Sequence, residues 1–320
     1  MHTLSLPMAP LSQPMPKPRW AAAVCARNEA QGITACLHAL ALAGVARRLH
    51  VTVLLNGCTD NTGLMAERAL RETGMRGRIY TIAQGDKANA FNQFVHRLRP
   101  AASTYFFIDG YAAVAPDALA RLDAALAGRA EAAAAAAVPS SGRSAALLRQ
   151  QMVDEPGLHG SLFALRGSFV ERIAALGLRL PVGLYRGDGL VGSMVLHDLD
   201  AMEGGWQPSR LVVEPAATWQ APVLQPWRPR DLRRHFNRLV QQGRGRLQGQ
   251  ALRGVLYPGG FQALPENADE HTLRWIDAAP ASRRPSPWRD PFAALALARM
   301  RRASPAADLT PRLLWEATPA

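Results

Sequence analysis

The chain has 320 residues, 48% of them hydrophobic, and can therefore bury a sizeable core in one large domain with a smaller addition. Lys and Arg number 37 against 25 Asp and Glu, a formal net charge of +12, and only Lys17 and Lys87 are lysines. Such a balance suits phosphate-bearing partners, whether nucleotide, anionic lipid or nucleic acid, whereas no stretch approaches the roughly 18 apolar residues that a membrane-spanning helix needs.

The N-terminal segment and the cysteines bear on the expected compartment. Residues 1–18 contain several prolines and lack the basic start and apolar block of a signal peptide, so they are predicted to form a flexible tail. Cys25, Cys36 and Cys58 lack the spacing of a metal site, and their odd number argues against a disulfide framework. We therefore expect a cytoplasmic protein.

Strands and helices alternate through the first part of the chain. Apolar runs predict strands, and helical spacing follows each of them; the strands are expected at 20–26, 50–55 and 78–83, with helices from 33, 63 and 85. This alternation is typical of an α/β fold with a mostly parallel sheet. The loops contain neither GxGxxG nor GxxxxGK[ST], which excludes a dinucleotide fingerprint and a P-loop.

A fourth apolar run, Tyr105 to Ile108, ends abruptly on the carboxylate of Asp109. In an open α/β sheet, ligands bind beyond the carboxyl ends of the strands. Asp109 is therefore a candidate site residue, although an Asp-Gly turn that Asp109 merely orders is the alternative.

These segments and two later ones resemble the successive motifs of family 2 glycosyltransferases, which have the GT-A fold. The motifs are CARNEA, LLNGCTDNT, GDKANAFN, FIDGYAAVAPDAL, GSLFALRGSF and LPVGLYRGDGLVG, within roughly residues 19–245. The resemblance implies a GT-A-type domain over 19–255, with a mostly parallel central sheet flanked by helices. Its nucleotide-binding half would be 19–128 and its acceptor half 129–255, and 256–320 would be a C-terminal extension, partly helical or loosely ordered.

By this resemblance, the first two loops hold the nucleotide of a sugar-nucleotide donor. Four residues are expected near the base and ribose: Ala26, Arg27, Asn28 and Glu29. Asn56 stands where the family often has an acidic residue that contacts uracil, so the base preference stays open between UDP and GDP. Asp60 matches the second acidic position of that loop, and a plain helix-capping role is its alternative.

Lys87 and Asn92 match the family's Gly-Lys-Ala segment and its downstream Asn. The resemblance implies that the cation faces the donor diphosphate, because a charge-assisted hydrogen bond is stronger than a neutral one. A solvated lysine at a helix start is the alternative.

The resemblance also implies a divalent metal ion, Mg²⁺ or Mn²⁺, on the diphosphate. Asp109, followed by Gly110, matches the first carboxylate of the family's Asp-x-Asp motif, but Tyr111 replaces the second. Asp109 could still bind the ion with water and phosphate oxygens completing the shell. The alternatives are that the ion is weakly held or that arginines replace it. His235 is a second candidate ligand of the metal or diphosphate, or else a structural histidine.

The acceptor half contributes three further candidates. Asp188 matches the general base of the family's acidic element, in which Gly187 replaces a Glu; a turn pair with Arg186 is the alternative. Arg166 is expected to contact the acceptor or sugar, unless it is one surface arginine among many. Arg238 is expected to meet a phosphate, and the mismatches around it to the Gln-x-x-Arg-Trp motif of processive relatives argue against a polymerising enzyme.

Together these matches imply an inverting glycosyltransferase that moves a sugar from a UDP- or GDP-linked donor to a glycan or lipid-linked acceptor, in cell-envelope glycan or glycolipid synthesis. A basic amphipathic helix at 292–302 would suit contact with the inner face of a membrane, or would pack on the main domain.

Three alternatives remain: a catalytically weakened sugar-nucleotide-binding relative, a sugar nucleotidyltransferase, and a basic nucleic-acid-binding protein. The last is disfavoured, and no nucleic-acid partner is expected, because the chain lacks the interleaved aromatic and basic residues of stacking platforms.

Overall fold

The computed structural model describes residues 20–45, 49–142, 145–222, 227–280, 284–302 and 308–317. The tail predicted for residues 1–18 lies outside the described residues.

Nine strands form a single sheet within this part of the chain. In chain order they are β1 (Trp20–Ala26), β2 (Leu49–Asn56), β3 (Gly77–Ile82), β4 (Thr104–Asp109), β5 (Ala113–Val114), β6 (Ala134–Pro139), β7 (Leu162–Arg166), β8 (Leu211–Gln220) and β9 (Arg312–Glu316). The predicted strands 20–26, 50–55 and 78–83 are confirmed to within two residues.

The α-helices of the described residues cover the sheet and form a layer beside it. They are α1 (Ile33–Leu40), α2 (Thr62–Thr73), α3 (Lys87–Gln93), α4 (Ala118–Ala127), α5 (Ala145–Asp154), α6 (Gly167–Ala175), α7 (Gly187–Leu196), α8 (Pro229–Gly259), α9 (Ala268–Ala278) and α10 (Pro291–Arg302). Short π-helical segments extend α1 (Ala41–Val45) and α3 (Phe94–Leu98). No helix of the described ranges has the length and apolarity to cross a membrane.

The sheet is mixed, which corrects the prediction of a mostly parallel one. Its strand order is β5-β8-β6-β7-β4-β1-β2-β3-β9. The pairs β1·β2, β1·β4, β2·β3 and β6·β8 are parallel, whereas β3·β9, β4·β7, β5·β8 and β6·β7 are antiparallel. The prediction holds for β1 to β4 and fails beyond them because β7 lies between β4 and β6 and runs against both, a direction that an apolar run of residues cannot reveal.

β4 is buried on both faces of the sheet. Phe106 packs edge-on against Trp20 with ring centroids 5.6 Å apart on one face, and Phe107 stacks on Phe163 at 5.0 Å on the other. Strands covered on both faces read as continuous apolar runs. Asp109 follows this run because the strand ends there, at the edge of the core.

The C-terminal extension is more ordered than the sequence predicts. β9 pairs with β3 and so adds an edge strand to the sheet. α8 runs to Gly259, past the predicted domain boundary at 255. The expectation of a loosely ordered end is therefore wrong for residues 308–317.

α10 packs on the domain instead of presenting a free apolar face. Gly243 of α8 lies so close to α10 that a Cβ there would stand 2.8 Å from the Ala293 nitrogen. Four residues of α10 are buried: Ala293, Ala296, Leu297 and Met300. Residues 292–302 could contact a membrane or pack on the main domain, and the structure shows the helix packed on the domain.

Replacing Phe106 by Ala should lower the free energy of unfolding by about 3–5 kcal/mol, because the fully buried ring leaves a cavity between sheet and helices. Leu64→Ala, at a side chain 66% exposed on α2, is the matched control and should change it by about 0.5 kcal/mol or less. Urea unfolding measures both. Equal losses would contradict the burial of β4 on this face.

Candidate active site

The carboxyl ends of the parallel strands meet at a topological switch point. The chain runs from β1 to β2 and β3 on one side, then crosses back to β4 on the other side of β1. Cys25 of β1 stands opposite Asp109 of β4 in the register. A cleft of about 2020 Å³ opens at this edge, which is where open α/β sheets bind ligands.

The cleft collects eight of the predicted site residues. Those that line it are Arg27, Glu29, Asn56, Lys87, Asp109, Asp188, His235 and Arg238. The lining does not include Ala26, Asn28, Asp60, Asn92, Gly110 or Arg166. The first set comes from six different segments of the chain, so the fold brings together residues that sequence spacing leaves far apart.

Asp109 is largely enclosed, with 14% of its side chain exposed. One carboxylate oxygen forms an ion pair with the Lys87 ammonium. The other accepts a hydrogen bond of 2.9 Å from the Tyr111 hydroxyl, which also lies 3.2 Å from the Ser161 Oγ. Both oxygens of Asp109 are therefore engaged.

The Asp109 carboxylate raises the pKa of both side chains that bind it, Lys87 and Tyr111. Burial by itself would lower the pKa of the Lys87 ammonium, but the acidic groups around it, Asp109 first and then Cys25 and Asp188, together raise the pKa. Burial raises the pKa of the Tyr111 hydroxyl, and the negative charge of Asp109 raises it further. Lys87 thus stays charged and Tyr111 stays a neutral donor at physiological pH.

Gly160 joins Asp188 to the Lys87–Asp109 pair. Its N–H donates to Asp188 Oδ2 at 2.8 Å, and its carbonyl accepts from Lys87 Nζ at 3.3 Å. A Cβ at Gly160 would stand 2.8 Å from Lys87 Nζ and 3.2 Å from Asp188 Oδ2, so a side chain there would push these two groups from their positions. The Gly189 N–H donates to the other oxygen of Asp188 at 3.0 Å. The carboxylate is held at the start of α7, facing the cleft.

His159 and Trp219 line the cleft beside Asp188 and were missed by sequence reasoning. Their rings stack at 4.9 Å. Burial lowers the pKa of His159, against a raising effect of Asp188, so the imidazole is neutral near pH 7. Neither residue belongs to a sequence motif that indicates a site. Only the tertiary structure shows that both line the cleft.

α8 closes over the first loop through Arg234, another residue that sequence reasoning missed. Its guanidinium donates to Glu29 Oε1 at 2.9 Å and lies 5.8 Å from the centre of the Tyr111 ring. Burial raises the pKa of Glu29, and Arg234 counteracts this. Glu29 is thus tied to α8 as well as lining the cleft.

Asn56 fixes the segment that carries Lys87. Its side-chain oxygen accepts from the Asp86 N–H at 2.6 Å. The Asp86 carboxylate caps α3 by accepting from the Asn89 N–H at 2.8 Å and also accepts from the Gly183 N–H at 2.5 Å. The start of α3 is therefore anchored on two sides.

Asn28 and Asp60 brace the first two loops against each other. The Asn28 side-chain oxygen accepts from the Thr59 N–H at 2.8 Å. Asp60 accepts from the Thr62 N–H at 3.1 Å and from the Ala30 N–H at 3.3 Å. Asp60 thus accepts main-chain N–H groups from both loops, one position before the N-cap residue Asn61.

Gly110 and Ala26 lie behind the cleft and serve packing. A Cβ at Gly110 would stand 2.7 Å from the Ala26 Cβ, and the Gly110 N–H donates to the Cys25 carbonyl at 2.8 Å. Ala26 is 1% exposed. These two positions shape the turn after β4 instead of lining the cleft.

Arg166 lies at the opposite edge of the sheet, so its predicted role at the acceptor is wrong. It pairs with Thr104 at the start of β4, about 16 Å of strand from Asp109. Its guanidinium donates to the carbonyls of Leu126 at 2.6 Å, Arg129 at 2.8 Å and Ala132 at 2.8 Å. Arg166 therefore satisfies main-chain acceptors after α4.

Asn92 is a buried brace and is 4% exposed. Its amide donates to the Leu180 carbonyl and its oxygen accepts from the Leu180 N–H, both at 2.8 Å. This pair fixes the segment that leads to Asp188. Asn92 affects the site through that segment.

The side chains around Asp109 do not fit the predicted Mg²⁺ or Mn²⁺ site. Across the described ranges, no group of three or more His, Cys, Asp or Glu is arranged to hold a metal ion. The two oxygens of Asp109 already bind an ammonium and a hydroxyl donor. His235 lines the cleft as an exposed residue of α8.

No protein-family model matches the chain, and no curated protein sequence matches it. Solved structures do. A mannosyltransferase, PcManGT from Pyrobaculum calidifontis in complex with GDP-Man and Mn²⁺, superposes with a TM-score of 0.58 and 19% identity, over 91% of this chain and 77% of that one. S. aureus TarS 1–349 superposes with a TM-score of 0.51 and 14% identity, over 88% and 80%. The chain has the GT-A glycosyltransferase fold.

Asn92→Ala should lower the free energy of unfolding by about 2–3 kcal/mol, because it leaves the buried N–H and carbonyl of Leu180 without their partner. Asn61→Ala, at an exposed residue whose side chain makes no capping hydrogen bond, is the control and should cost much less. Thermal and urea unfolding report both values. A small effect of Asn92→Ala would mean that the Leu180 segment is held by other contacts.

Proposed function

We propose that this protein is an inverting glycosyltransferase that uses a UDP- or GDP-linked sugar donor. The observation that carries the proposal is the meeting of Asp188 with the Lys87–Asp109 pair around Gly160, at the switch-point cleft. A carboxylate that can accept a proton stands beside a fixed cation that can meet a phosphate. The similarity in fold to a mannosyltransferase supports the proposal of a glycosyltransferase.

The proposed reaction is a single displacement. Asp188 takes the proton of an acceptor hydroxyl while that oxygen forms a bond to the anomeric carbon of the sugar. The bond from that carbon to the diphosphate oxygen breaks, and its electron pair stays on the leaving nucleoside diphosphate. Lys87 meets the charge that develops there. Attack opposite to the leaving group inverts the anomeric configuration.

The remaining cleft residues divide between donor and acceptor. Arg27, Glu29 and Asn56 follow β1 and β2, and we assign the nucleotide to this side. Arg238 and His235 on α8 face the same cleft, and we assign them to phosphate contacts. Asp60, Asn28 and Asn92 brace the loops that these residues occupy.

The acceptor is proposed to be a glycan or lipid-linked hydroxyl of the cell envelope, reached from the cytoplasm. The net charge of +12 supports an anionic partner or surface. The burial of the apolar face of α10 removes that helix as support for a membrane contact.

Donor turnover tests the proposal directly. The protein is incubated with UDP-glucose, UDP-N-acetylglucosamine or GDP-mannose, and release of UDP or GDP is measured with water or added glycans as acceptors. Nucleoside diphosphate release supports transfer. Pyrophosphate release would indicate a nucleotidyltransferase instead, and binding without turnover would indicate a catalytically weakened relative.

Asp188→Asn should reduce turnover by roughly 10²- to 10⁴-fold because the general base is lost. The affinity for UDP or GDP should change little, since Asn keeps the shape of the side chain. Asp154→Asn, at an exposed residue of α5, is the matched control and should leave turnover unchanged. Unchanged turnover in Asp188→Asn would remove Asp188 as the base.

Gly160→Ala should reduce turnover by roughly 100-fold, because the added Cβ displaces Lys87 and Asp188 from each other. Gly157→Ala lies in the same loop, and its Cβ would find its nearest neighbour, the Glu155 carbonyl, at 3.8 Å. This control should retain nearly full turnover. Equal activity of the two variants would contradict the role assigned to Gly160.

A further inference from the structure

We infer that the Lys87 ammonium, held by Asp109, takes the place of a divalent cation on the donor diphosphate, so that donor binding needs no metal ion. This inference rests on the proposed function and specifies how its donor site handles charge. It is carried by the contacts of Asp109, by the exposure of Lys87 and by the position of Gly160.

Both oxygens of Asp109 already bind a donor. One oxygen binds the Lys87 ammonium and the other accepts from the Tyr111 hydroxyl at 2.9 Å. A divalent ion on either oxygen would have to share that oxygen with its donor, and it would stand against the fixed positive charge of Lys87. Tyr111 occupies the place of a second carboxylate and supplies a proton donor instead of an oxygen ligand.

Lys87 is the more exposed side chain of the pair. The Lys87 side chain is 48% exposed, whereas that of Asp109 is 14% exposed. Both line the cleft. A diphosphate that enters the cleft therefore meets the ammonium, and Asp109 serves as a positioning residue behind it.

Lys87 also has a donor to spare. An ammonium has three N–H groups. One is directed to Asp109 and one to the Gly160 carbonyl at 3.3 Å. Among the described residues, Lys87 Nζ has no third hydrogen-bond acceptor. One N–H is therefore left for a phosphate oxygen. Gly160 fixes the direction of this donor because its missing Cβ admits Lys87.

Calorimetric titration of UDP and of GDP, each in EDTA and in Mn²⁺ at one ionic strength, tests the inference on the full chain. The affinity for the preferred nucleotide should agree within about twofold between the two conditions. Lys87→Met should weaken it about 10- to 100-fold in both, the range of a hydrogen bond to a charged group. Arg68→Met removes one positive charge from α2, outside the cleft, and should leave it unchanged.

Asp109→Asn separates a positioning role from a metal-ligand role. It should weaken binding equally in EDTA and in Mn²⁺, and the double variant with Lys87→Met should bind no worse than Lys87→Met alone. Circular dichroism and unfolding show whether each variant is folded.

The possible outcomes are distinct. Tighter binding in Mn²⁺ by tenfold or more, lost in Asp109→Asn, would overturn the inference and leave the proposed function standing. Absence of nucleotide binding in both conditions would overturn the proposed function and the inference with it.

Discussion

The ion pair between Lys87 and Asp109 is the interaction on which the candidate site depends. Lys87 begins α3 and Asp109 ends β4, so the pair ties a helix to the neighbouring strand at the switch point. Gly160, in the segment before β7, binds Lys87 through its carbonyl. Its N–H donates to the proposed base Asp188. Four separate segments are thus held around one partly buried carboxylate, and loss of its charge would leave the Gly160 carbonyl as the remaining hydrogen-bond acceptor of Lys87 among the described residues.

The segment before Asp188 is held by buried polar groups as well as by packing. Gln248 of α8 is fully buried; it accepts from the Tyr185 N–H at 3.0 Å and donates to the Gly183 carbonyl at 2.9 Å. Asp86 and Asn92 hold the same segment from α3. Catalytic groups need support of this kind, because small misplacements cost rate. Through Gln248, the long α8 therefore helps to hold the segment that leads to Asp188.

Much of the sheet and the key charges follow from local sequence. Strands β1 to β4 are predicted within a few residues, because strands buried on both faces give unbroken apolar runs bounded by polar turns. Asp109 is found because it ends an apolar run, where side chains reach the carboxyl edge of the sheet. Lys87 and Asp188 are found because the segments around them resemble motifs of family 2 glycosyltransferases.

Other features were decided only by the tertiary structure. The direction of β7 and the pairing of β9 depend on contacts between residues far apart in the chain, and apolar periodicity carries no information on partner or direction. Arg166 matches a motif by position, yet the antiparallel β7 carries it to the far edge of the sheet. The sequence by itself determined which elements form and which charges end them. The tertiary structure decided that Tyr111 and Lys87 both bind Asp109, since hydrogen-bond partners are set by distances in space and not by spacing along the chain.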